Sequence, residues 1–384
     1  MPALLFDVSH TSHTRARTGV QRVVRSLLRE LGDGALPVTH DPHQGVWRPL
    51  DDWERANLAA ETPGAKRGAR WPLSARLRGR WRRWTGAAPI LPAEVAGFVT
   101  AEIFSPAVGA QLPAAIPRVA IFHDAIALRY PELSPAGTVT RFPAYLAELL
   151  RFDGVAAVSA DSRDALVDYW RWAGATRTPP VVAIPLGVDP VKTVTAEAAP
   201  ATPVVLSVGT LEGRKNHVAL LEACERLWAG GAKFTLRLAG GVQAETGRVA
   251  HERLRALQTA GRPIRYDGAL TDEQLAAAYA ECAFTVYPSI AEGFGLPVIE
   301  SLAHGRPCVC SGRGAVGEQS RAGGCVPLEA VDAVALAGAI GRLLDSPAEL
   351  AQLTAAARAR TFRSWTEYTR ELVDWVATLR RRPV

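Results

Sequence analysis

The sequence predicts an α/β protein built from two doubly wound domains, and three observations support this prediction. The chain has 384 residues, the length of two ordinary domains. Short β-branched runs alternate with amphipathic helices, a pattern typical of parallel sheets. A stretch rich in alanine, threonine and proline from Pro190 to Pro203 separates two such series. We predict domains at 1–188 and 204–364, a linker at 189–203, and a C-terminal helix at 365–384 that can pack back on the first domain.

The first domain begins with a predicted strand at Leu4–Val8. After a polar loop, apolar residues recur at helical spacing over Val20–Leu31 and predict an amphipathic helix. Three later strands are predicted at Val119–Phe122, Val155–Val158 and Val181–Ile184. Ser159 directly follows the second of these strands. It therefore predicts an N-cap for a helix that ends near Trp172.

Residues 41–117 do not show this alternation of strands and helices, and we interpret them as an irregular insertion in the first domain. The part from Lys66 to Trp84 carries eight basic residues and no acidic residue. Leu77, Trp81 and Trp84 fall at helical spacing with arginines on the other faces, a pattern typical of a helix at a membrane surface. The alternative is a solvated helix whose tryptophans pack on the domain.

The second domain repeats the alternation of strands and helices. Its strands are predicted at Val204–Val208, Phe234–Ala239, Ile264–Tyr266, Phe284–Tyr287 and Pro307–Cys310. Helices are predicted at His217–Trp228, at Asp272–Cys282 and beyond Val331. Because α/β proteins bind ligands at the carboxyl ends of their strands, we expect the site in the crevice between the two sheets.

Composition narrows the classes of function. The net charge of +6 and the pI near 9.3 come almost entirely from arginine, which is weak support for a nucleic-acid partner. No run approaches the ~20 apolar residues of a membrane span, and the N-terminus does not resemble a signal peptide. The five cysteines are an odd number and fit reduced core thiols in a cytoplasmic protein. A metal site at Cys308 and Cys310 with His304 is the less favoured alternative.

The run from Glu292 to Glu300 is the most informative functional signal. Its two carboxylates flank a glycine turn and Pro297, a residue that suits the first turn of a helix. Glycines let the backbone approach a ligand closely, and the free amides of a helix start can face an anion. Glu292 then lies on the turn and Glu300 about one turn inside the helix. Both carboxylates can therefore hydrogen-bond hydroxyls of one ligand.

A second candidate is the glycine-bounded loop Gly209–Asn216, which follows the first strand of the second domain. Its adjacent Arg214 and Lys215 suit a diphosphate, because arginine offers a bidentate fork and lysine a compact charge. The GxxxxGK[ST] spacing of a P-loop is absent. The alternative interpretation is a solvated charged turn.

Two features of the first domain also lie where strands end. Thr18 and Gly19 open its first helix, where a backbone can approach a phosphate or a sugar. His123 and Asp124 follow a predicted strand. Glycine is common before a helix, so Gly19 alone is a weak signal. The alternative for the second feature is that His123 is hydrogen-bonded in a turn and Asp124 caps the next helix.

In their order and spacing, these motifs resemble the retaining GT-B glycosyltransferases of family four. Glu292–Glu300 is similar to the E-x7-E motif of that family, and Val208–Asn216 to its phosphate loop. Ile184–Asp189 is similar to its hinge, with Leu186 in place of the usual asparagine, and Val158–Arg163 to its VSxxSR turn. The resemblance covers most of the chain. It implies the GT-B fold, in which two Rossmann-like domains face a central cleft, and a hexosyltransferase activity.

The resemblance also implies roles for individual residues. Glu292 would hydrogen-bond the donor sugar, Arg214 and Lys215 would neutralise the leaving diphosphate, and His123 would lie beside the reacting face of the sugar. Glu300 would bind the ribose hydroxyls of the nucleotide. Other residues would also contact the donor or its nucleotide; they are Gly19, Gly209, Thr210, Phe294, Gly295, Leu296 and Gly268.

The resemblance also implies transfer with retention. We expect no metal or other cofactor, since two cations and a helix dipole can stabilise the diphosphate. The departing phosphate oxygen would take the proton of the acceptor. The loop from Thr18 to Arg25 resembles the mannosyltransferase-like branch that builds surface polysaccharides. The expected donor is therefore GDP-mannose, and the expected acceptor is a glycan or lipid-linked glycan.

Two alternatives stay open at this point. A GT-B epimerase or hydrolase would rearrange or release the sugar without an acceptor. A nucleic-acid-binding protein would use the arginine- and tryptophan-rich stretch, but that hypothesis leaves Glu292–Glu300 unexplained, so no nucleic-acid partner is expected. The expected location is the cytoplasm, with residues 66–84 in peripheral contact with the inner face of the membrane.

Overall fold

The computed structural model describes residues 3–15, 19–60, 71–87, 91, 94–102, 116–189 and 202–381. The chain divides into two compact units. The first comprises Met1–Asp124, Arg141–Gly187 and Trp365–Val384, and the second comprises Ala125–Thr140 and Val188–Ser364. Residues 125–140, which the sequence placed in the first domain, thus group with the second unit. Thr18, residues 66–70 and residues 190–201 of the predicted linker lie outside the described residues.

A seven-stranded sheet forms the centre of the first unit, as far as its residues are described, in the order β3-β2-β1-β4-β5-β6-β7. The strands are β1 Leu4–Asp7, β2 Ala35–Asp41, β3 Val46–Pro49, β4 Gly97–Thr100, β5 Arg118–Phe122, β6 Gly154–Ala157 and β7 Val181–Ala183. Neighbouring strands are parallel, except that β2 and β3 are antiparallel. The helices up to this point are α1 Gly19–Leu31, α2 Asp52–Ala59, α3 Leu73–Thr85, α4 Ile126–Arg129, α5 Ala136–Leu149 and α6 Ala160–Trp172.

Residues 41–117 contribute to this sheet, so they are not simply an insertion. They supply the edge strand β3 and also β4, which lies between β1 and β5. Gly97 pairs in register with Leu4. Neither strand was predicted. A four-residue strand that is buried along its whole length, such as β4, shows no alternation of apolar and polar residues.

A buried charge network anchors α2 to the loop after β1. Arg48 forms ion pairs with Asp41 (Nε–Oδ2, 3.0 Å) and Glu54 (Nη1–Oε2, 2.7 Å), and His13 Nε2 lies 2.7 Å from Glu54 Oε1. All four residues are buried. Because removing one partner of such a network leaves a buried charge uncompensated, at a cost of about 3–5 kcal/mol, the network holds this part of the chain in one arrangement.

Helix α3 packs through small residues and leaves its large apolar residues in solvent. Gly79 is buried, and a Cβ there would lie only 2.9 Å from His43 Cβ. Leu77, Trp81 and Trp84 are 57%, 61% and 84% exposed. The alternative in which these tryptophans pack on the domain is therefore wrong.

The described residues of the second unit contain a six-stranded parallel sheet in the order β10-β9-β8-β11-β12-β13. The strands are β8 Val204–Val208, β9 Thr235–Ala239, β10 Ile264–Gly268, β11 Phe284–Tyr287, β12 Cys308–Ser311 and β13 Cys325–Leu328. The remaining helices are α7 His217–Ala229, α8 Arg248–Thr259, α9 Asp272–Glu281, α10 Leu296–Ala303, α11 Gly314–Ser320, α12 Ala333–Asp345, α13 Pro347–Arg358 and α14 Trp365–Thr378. The prediction of two doubly wound α/β domains is confirmed.

Two local predictions can be compared directly with the fold. Ser159 caps α6, since its hydroxyl accepts a hydrogen bond from the Ser162 amide at 3.1 Å. The five cysteines are free and buried, and Cys308 and Cys310 lie in an apolar cluster with Val298. This packing is that of core thiols.

None of the helices in the described ranges has the length and the apolar character needed to cross a membrane.

Candidate functional site

The order of the second sheet indicates where its unit binds a ligand. The chain runs outward from β8 through β9 to β10, then returns to the other side of β8 with β11. The carboxyl ends of β8 and β11 therefore form a topological switch point, the usual ligand-binding position in such sheets. The predicted loop Gly209–Asn216 follows β8, and the predicted turn containing Glu292 follows β11.

At this switch point the structure brings three predicted site residues into one ion cluster. Arg214 Nη1 lies 2.6 Å from Glu292 Oε2, and Lys215 Nζ lies 2.6 Å from Glu292 Oε1. The side chains of Lys215 and Glu292 are 9% and 8% exposed, and that of Arg214 is 26% exposed. Glu292 thus bridges the two cations through separate oxygens and fixes their spacing.

Burial and charge act in opposite directions on this cluster. Burial alone raises the pKa of Glu292, but the attraction of Arg214 and Lys215 outweighs it and lowers that pKa to about 2. Burial lowers the pKa of the Lys215 ammonium below its ordinary value, although Glu292 partly offsets this effect. Glu292 is therefore ionised at neutral pH and serves as the counter-ion of two buried or half-buried cations.

Two further residues contact the cluster, and neither was predicted. The Lys215 ammonium donates to the Tyr287 hydroxyl and lies 4.5 Å from the centre of the Tyr287 ring. Arg214 Nη2 lies 2.7 Å from Glu212 Oε1. Tyr287 is the last residue of β11, so its strand-end position was a usable signal. Glu212 stands inside the predicted loop, next to residues that were assigned a role.

The turn after Glu292 has the predicted geometry. Gly295 adopts a φ of +96°, a left-handed conformation that favours glycine, and it is the N-cap residue of α10. Pro297 follows in the first turn of the helix. Phe294 is buried at 6% exposure and anchors the turn in the core. Together with Leu296, these residues present a helix N-terminus beside the ion cluster, a favourable place for an anion.

Glu300 lies on α10 at the predicted depth but outside the ion cluster. It is the fifth residue of the helix and is buried. The Tyr279 hydroxyl donates to Glu300 Oε2 at 3.4 Å, and the Tyr279 ring stacks on His304 with centroids 4.7 Å apart. The predicted contact of Glu300 with a ribose stays a prediction.

The remaining predicted residues of this unit lie at strand ends. A Cβ on Gly209 would stand 3.6 Å from Lys215 Cδ, so the glycine lies directly against the lysine stem. Thr210 is the next residue of the same loop. Gly268 ends β10 with a φ of +67°, and its carbonyl accepts a hydrogen bond from the Gly240 amide at 2.6 Å.

His123 and Gly19 belong to the first unit, so their predicted contacts with the donor stay predictions. His123 directly follows β5, and its Nε2 donates to the Ala101 carbonyl at 2.6 Å. Burial lowers the pKa of His123, which keeps its imidazole neutral. Gly19 is the first residue of α1, and a Cβ there would contact no described atom within 4 Å. No described atom therefore fills the space beside Gly19 at the start of α1.

Comparison with known proteins finds a family model that matches part of the second unit. Residues 202–346 match the family model "Glycosyl transferases group 1". The ion cluster and α10 lie within the matched residues.

Curated relatives include mannosyltransferases. Over 332 residues the chain is 30% identical to the serotype-specific mannosyltransferase WbdA of Escherichia coli, covering 80% of this chain and 38% of that protein. It is 34% identical over 174 residues to the O-antigen chain mannosyltransferase B of Escherichia coli, covering 44% of each. The chain therefore spans about two fifths of the length of these relatives.

The fold is shared with solved structures over nearly the whole chain. The crystal structure of HepE from Anabaena in complex with UDP-glucose aligns with a TM-score of 0.72 and 17% identity, covering 99% of this chain and 100% of that chain. The sucrose-phosphate synthase of Thermosynechococcus elongatus aligns with a TM-score of 0.68 and 20% identity, covering 98% of each.

Proposed function

We propose that the chain is a GT-B glycosyltransferase that transfers a hexosyl group from a nucleotide sugar to a hydroxyl of a glycan or lipid-linked glycan, since residues 202–346 match the glycosyl transferases group 1 model. The observation that carries this proposal is the bridge from Glu292 to Arg214 and Lys215 at the β8–β11 switch point, beside the start of α10.

The chemistry of the cluster suits a departing diphosphate. Breaking the bond between sugar and phosphate leaves additional negative charge on the diphosphate oxygens. Arg214, Lys215 and the N-terminal dipole of α10 supply positive charge without a metal, and each preorganised donor is typically worth about 3 kcal/mol. Transfer then proceeds with retention, because the acceptor attacks from the face that the diphosphate leaves. A phosphate oxygen of the leaving group takes the acceptor proton.

We propose mannose from GDP-mannose as the donor. The relatives WbdA and O-antigen chain mannosyltransferase B, both mannosyltransferases, support the sugar. The resemblance of the loop from Thr18 to Arg25 to the mannosyltransferase-like branch supports it as well. The HepE crystal structure, by contrast, is a complex with UDP-glucose. A test of the donor therefore has to include both nucleotides.

A transfer assay with a panel of donors tests this proposal. The protein would be incubated with GDP-mannose, UDP-glucose or UDP-N-acetylglucosamine and mannose oligosaccharides, with and without EDTA, and the products would be separated by mass. We expect a mannosylated product from GDP-mannose with an unchanged rate in EDTA. Abolition of the rate by EDTA would contradict metal-independent transfer. Free mannose without a glycosylated product would indicate a hydrolase.

We also propose that the exposed face of α3 binds an anionic membrane surface, which would bring the enzyme to a lipid-linked acceptor. Leu73, Leu77, Trp81 and Trp84 are all more than half exposed. The helix also carries five arginines and no acidic residue. An apolar face flanked by cations is the pattern of a helix that lies in the lipid headgroup region.

Replacing both Trp81 and Trp84 with alanine should weaken binding to vesicles that contain anionic phosphatidylglycerol by at least about tenfold, because two tryptophans no longer enter the interface. Vesicle co-sedimentation measures the change. The matched control is Trp172→Ala, since Trp172 is 82% exposed elsewhere in the first unit. Equal binding by the double variant and the control would exclude α3 as the membrane contact.

A further inference from the structure

Glu212 forms an ion pair that the proposed transfer does not use. Its Oε1 lies 2.7 Å from Arg214 Nη2, and its side chain is 16% exposed. Glu212 precedes the short 3-10 turn Gly213–Lys215, but its side chain does not cap that turn. The contact with Arg214 therefore gives this carboxylate a place in the cluster rather than a role in forming the turn.

The charges of the four described ionic side chains in the cluster balance before any ligand enters. Arg214 and Lys215 carry two positive charges, and Glu212 and Glu292 carry two negative charges. A diphosphate brings at least two more negative charges to the same place. Since like charges in close contact repel each other, we expect one carboxylate to give up its cation when a diphosphate binds.

The two carboxylates differ in how firmly they are held. Glu292 is 8% exposed and bridges both cations, so its release would uncouple Arg214 from Lys215. Glu212 is twice as exposed and pairs with the other terminal nitrogen of Arg214. Moving the Glu212 side chain into solvent therefore costs less free energy than releasing Glu292. It also leaves the bridge from Glu292 to Arg214 and Lys215 in place.

We propose that Glu212 is a resident counter-ion that the donor diphosphate displaces from Arg214, so that a diphosphate binds only at the cost of breaking this ion pair. The inference rests on the proposed function. A diphosphate can contact Arg214 and Lys215 together and so compensates for the lost pair. A single phosphate group has fewer charged oxygens with which to replace Glu212, so it contacts Lys215 and leaves the pair of Glu212 with Arg214 in place.

The variant Glu212→Gln tests the exchange, with Glu329→Gln as the matched control. Glu329 also pairs with an arginine of the same unit, Arg313 (3.3 Å), but on an exposed surface. Isothermal titration calorimetry with GMP, GDP, UMP and UDP gives the selectivity of each protein. In Glu212→Gln the affinity for the diphosphates should rise about tenfold, because they no longer displace a carboxylate, and that for the monophosphates should rise less. The preference for a diphosphate should therefore widen, whereas Glu329→Gln should keep the wild-type ratio.

Each result of this experiment has one meaning. The same ratio of monophosphate to diphosphate affinity in Glu212→Gln and wild type would overturn the role of Glu212. Equal weakening of both ligand classes together with a lower Tm would also overturn it, since that pattern indicates a purely structural residue. A wild-type protein that binds no nucleoside diphosphate would contradict the proposed function itself. The calorimetry distinguishes this outcome from the two that concern Glu212, because those two require the wild-type protein to bind a diphosphate.

Discussion

Replacing Lys215 with alanine should lower kcat/KM for sugar transfer by about 10²–10³-fold, the usual cost of removing one preorganised donor from a developing anion. The buried Lys215 ammonium lies against Glu292 and Tyr287, so its position is fixed before the donor arrives. The Tm should fall by only a few degrees, because Arg214 still pairs with Glu292. Steady-state kinetics and thermal unfolding of the same preparation measure the two effects.

The variant Lys233→Ala is the control for Lys215→Ala. Lys233 is exposed in the same unit, just before β9, so its removal tests the loss of one positive charge far from the cluster. Its kcat/KM should stay within about twofold of wild type, as is usual for surface substitutions. Unchanged transfer by Lys215→Ala would remove Lys215 from the leaving-group role.

Replacing Glu292 with glutamine should reduce kcat/KM by about 10²-fold, because Arg214 and Lys215 lose the bridge that sets their spacing. It should also change how stability depends on pH. The pKa of Glu292 is lowered from 4.5 to about 2 in the folded protein. The ionised carboxylate therefore contributes stability that is fully present above pH 4.5 and is lost as the pH falls through about 2.

Thermal unfolding at pH 5 and pH 3 measures this second effect. The wild-type Tm should drop more between these values than that of Glu292→Gln, since the variant has no carboxylate to protonate at this position. Other carboxylates with lowered pKa, such as Glu54 and Asp267, contribute equally to both proteins. The variant Glu329→Gln should keep the wild-type slope, and the same slope in Glu292→Gln would show that the bridge does not stabilise the fold.

Much of the second unit could be predicted because its signals are local. The β-branched runs of β8 and β11 and the glycine–proline turn before α10 indicate their structures within a few residues. The positions of Gly295 and Pro297 follow from what a left-handed turn and a first helical turn allow. A short central strand such as β4 carries no such signal, because it depends on its neighbours in the sheet.

The contacts of the site were harder to predict than its location. The rule that ligands bind at strand ends placed the Arg214 loop and the Glu292 turn at one edge. Spacing along the chain does not show that Tyr287 faces Lys215 or that Glu212 pairs with Arg214, since both contacts depend on side-chain packing. The resemblance assigns Glu292 to the donor sugar, whereas the structure shows it bridging two cations. A role in positioning these cations is therefore an addition to the predicted one.

Calorimetric titration of GDP and UDP into the wild-type protein and Lys215→Ala tests the central claim most directly, namely that the cluster around Glu292 binds the diphosphate of a nucleotide sugar. We expect the wild type to bind one of the two nucleotides with a micromolar Kd without added metal, and we expect the variant to bind it at least about tenfold more weakly. Equal affinity of the two proteins for that nucleotide, or no binding to the wild type, would contradict the claim.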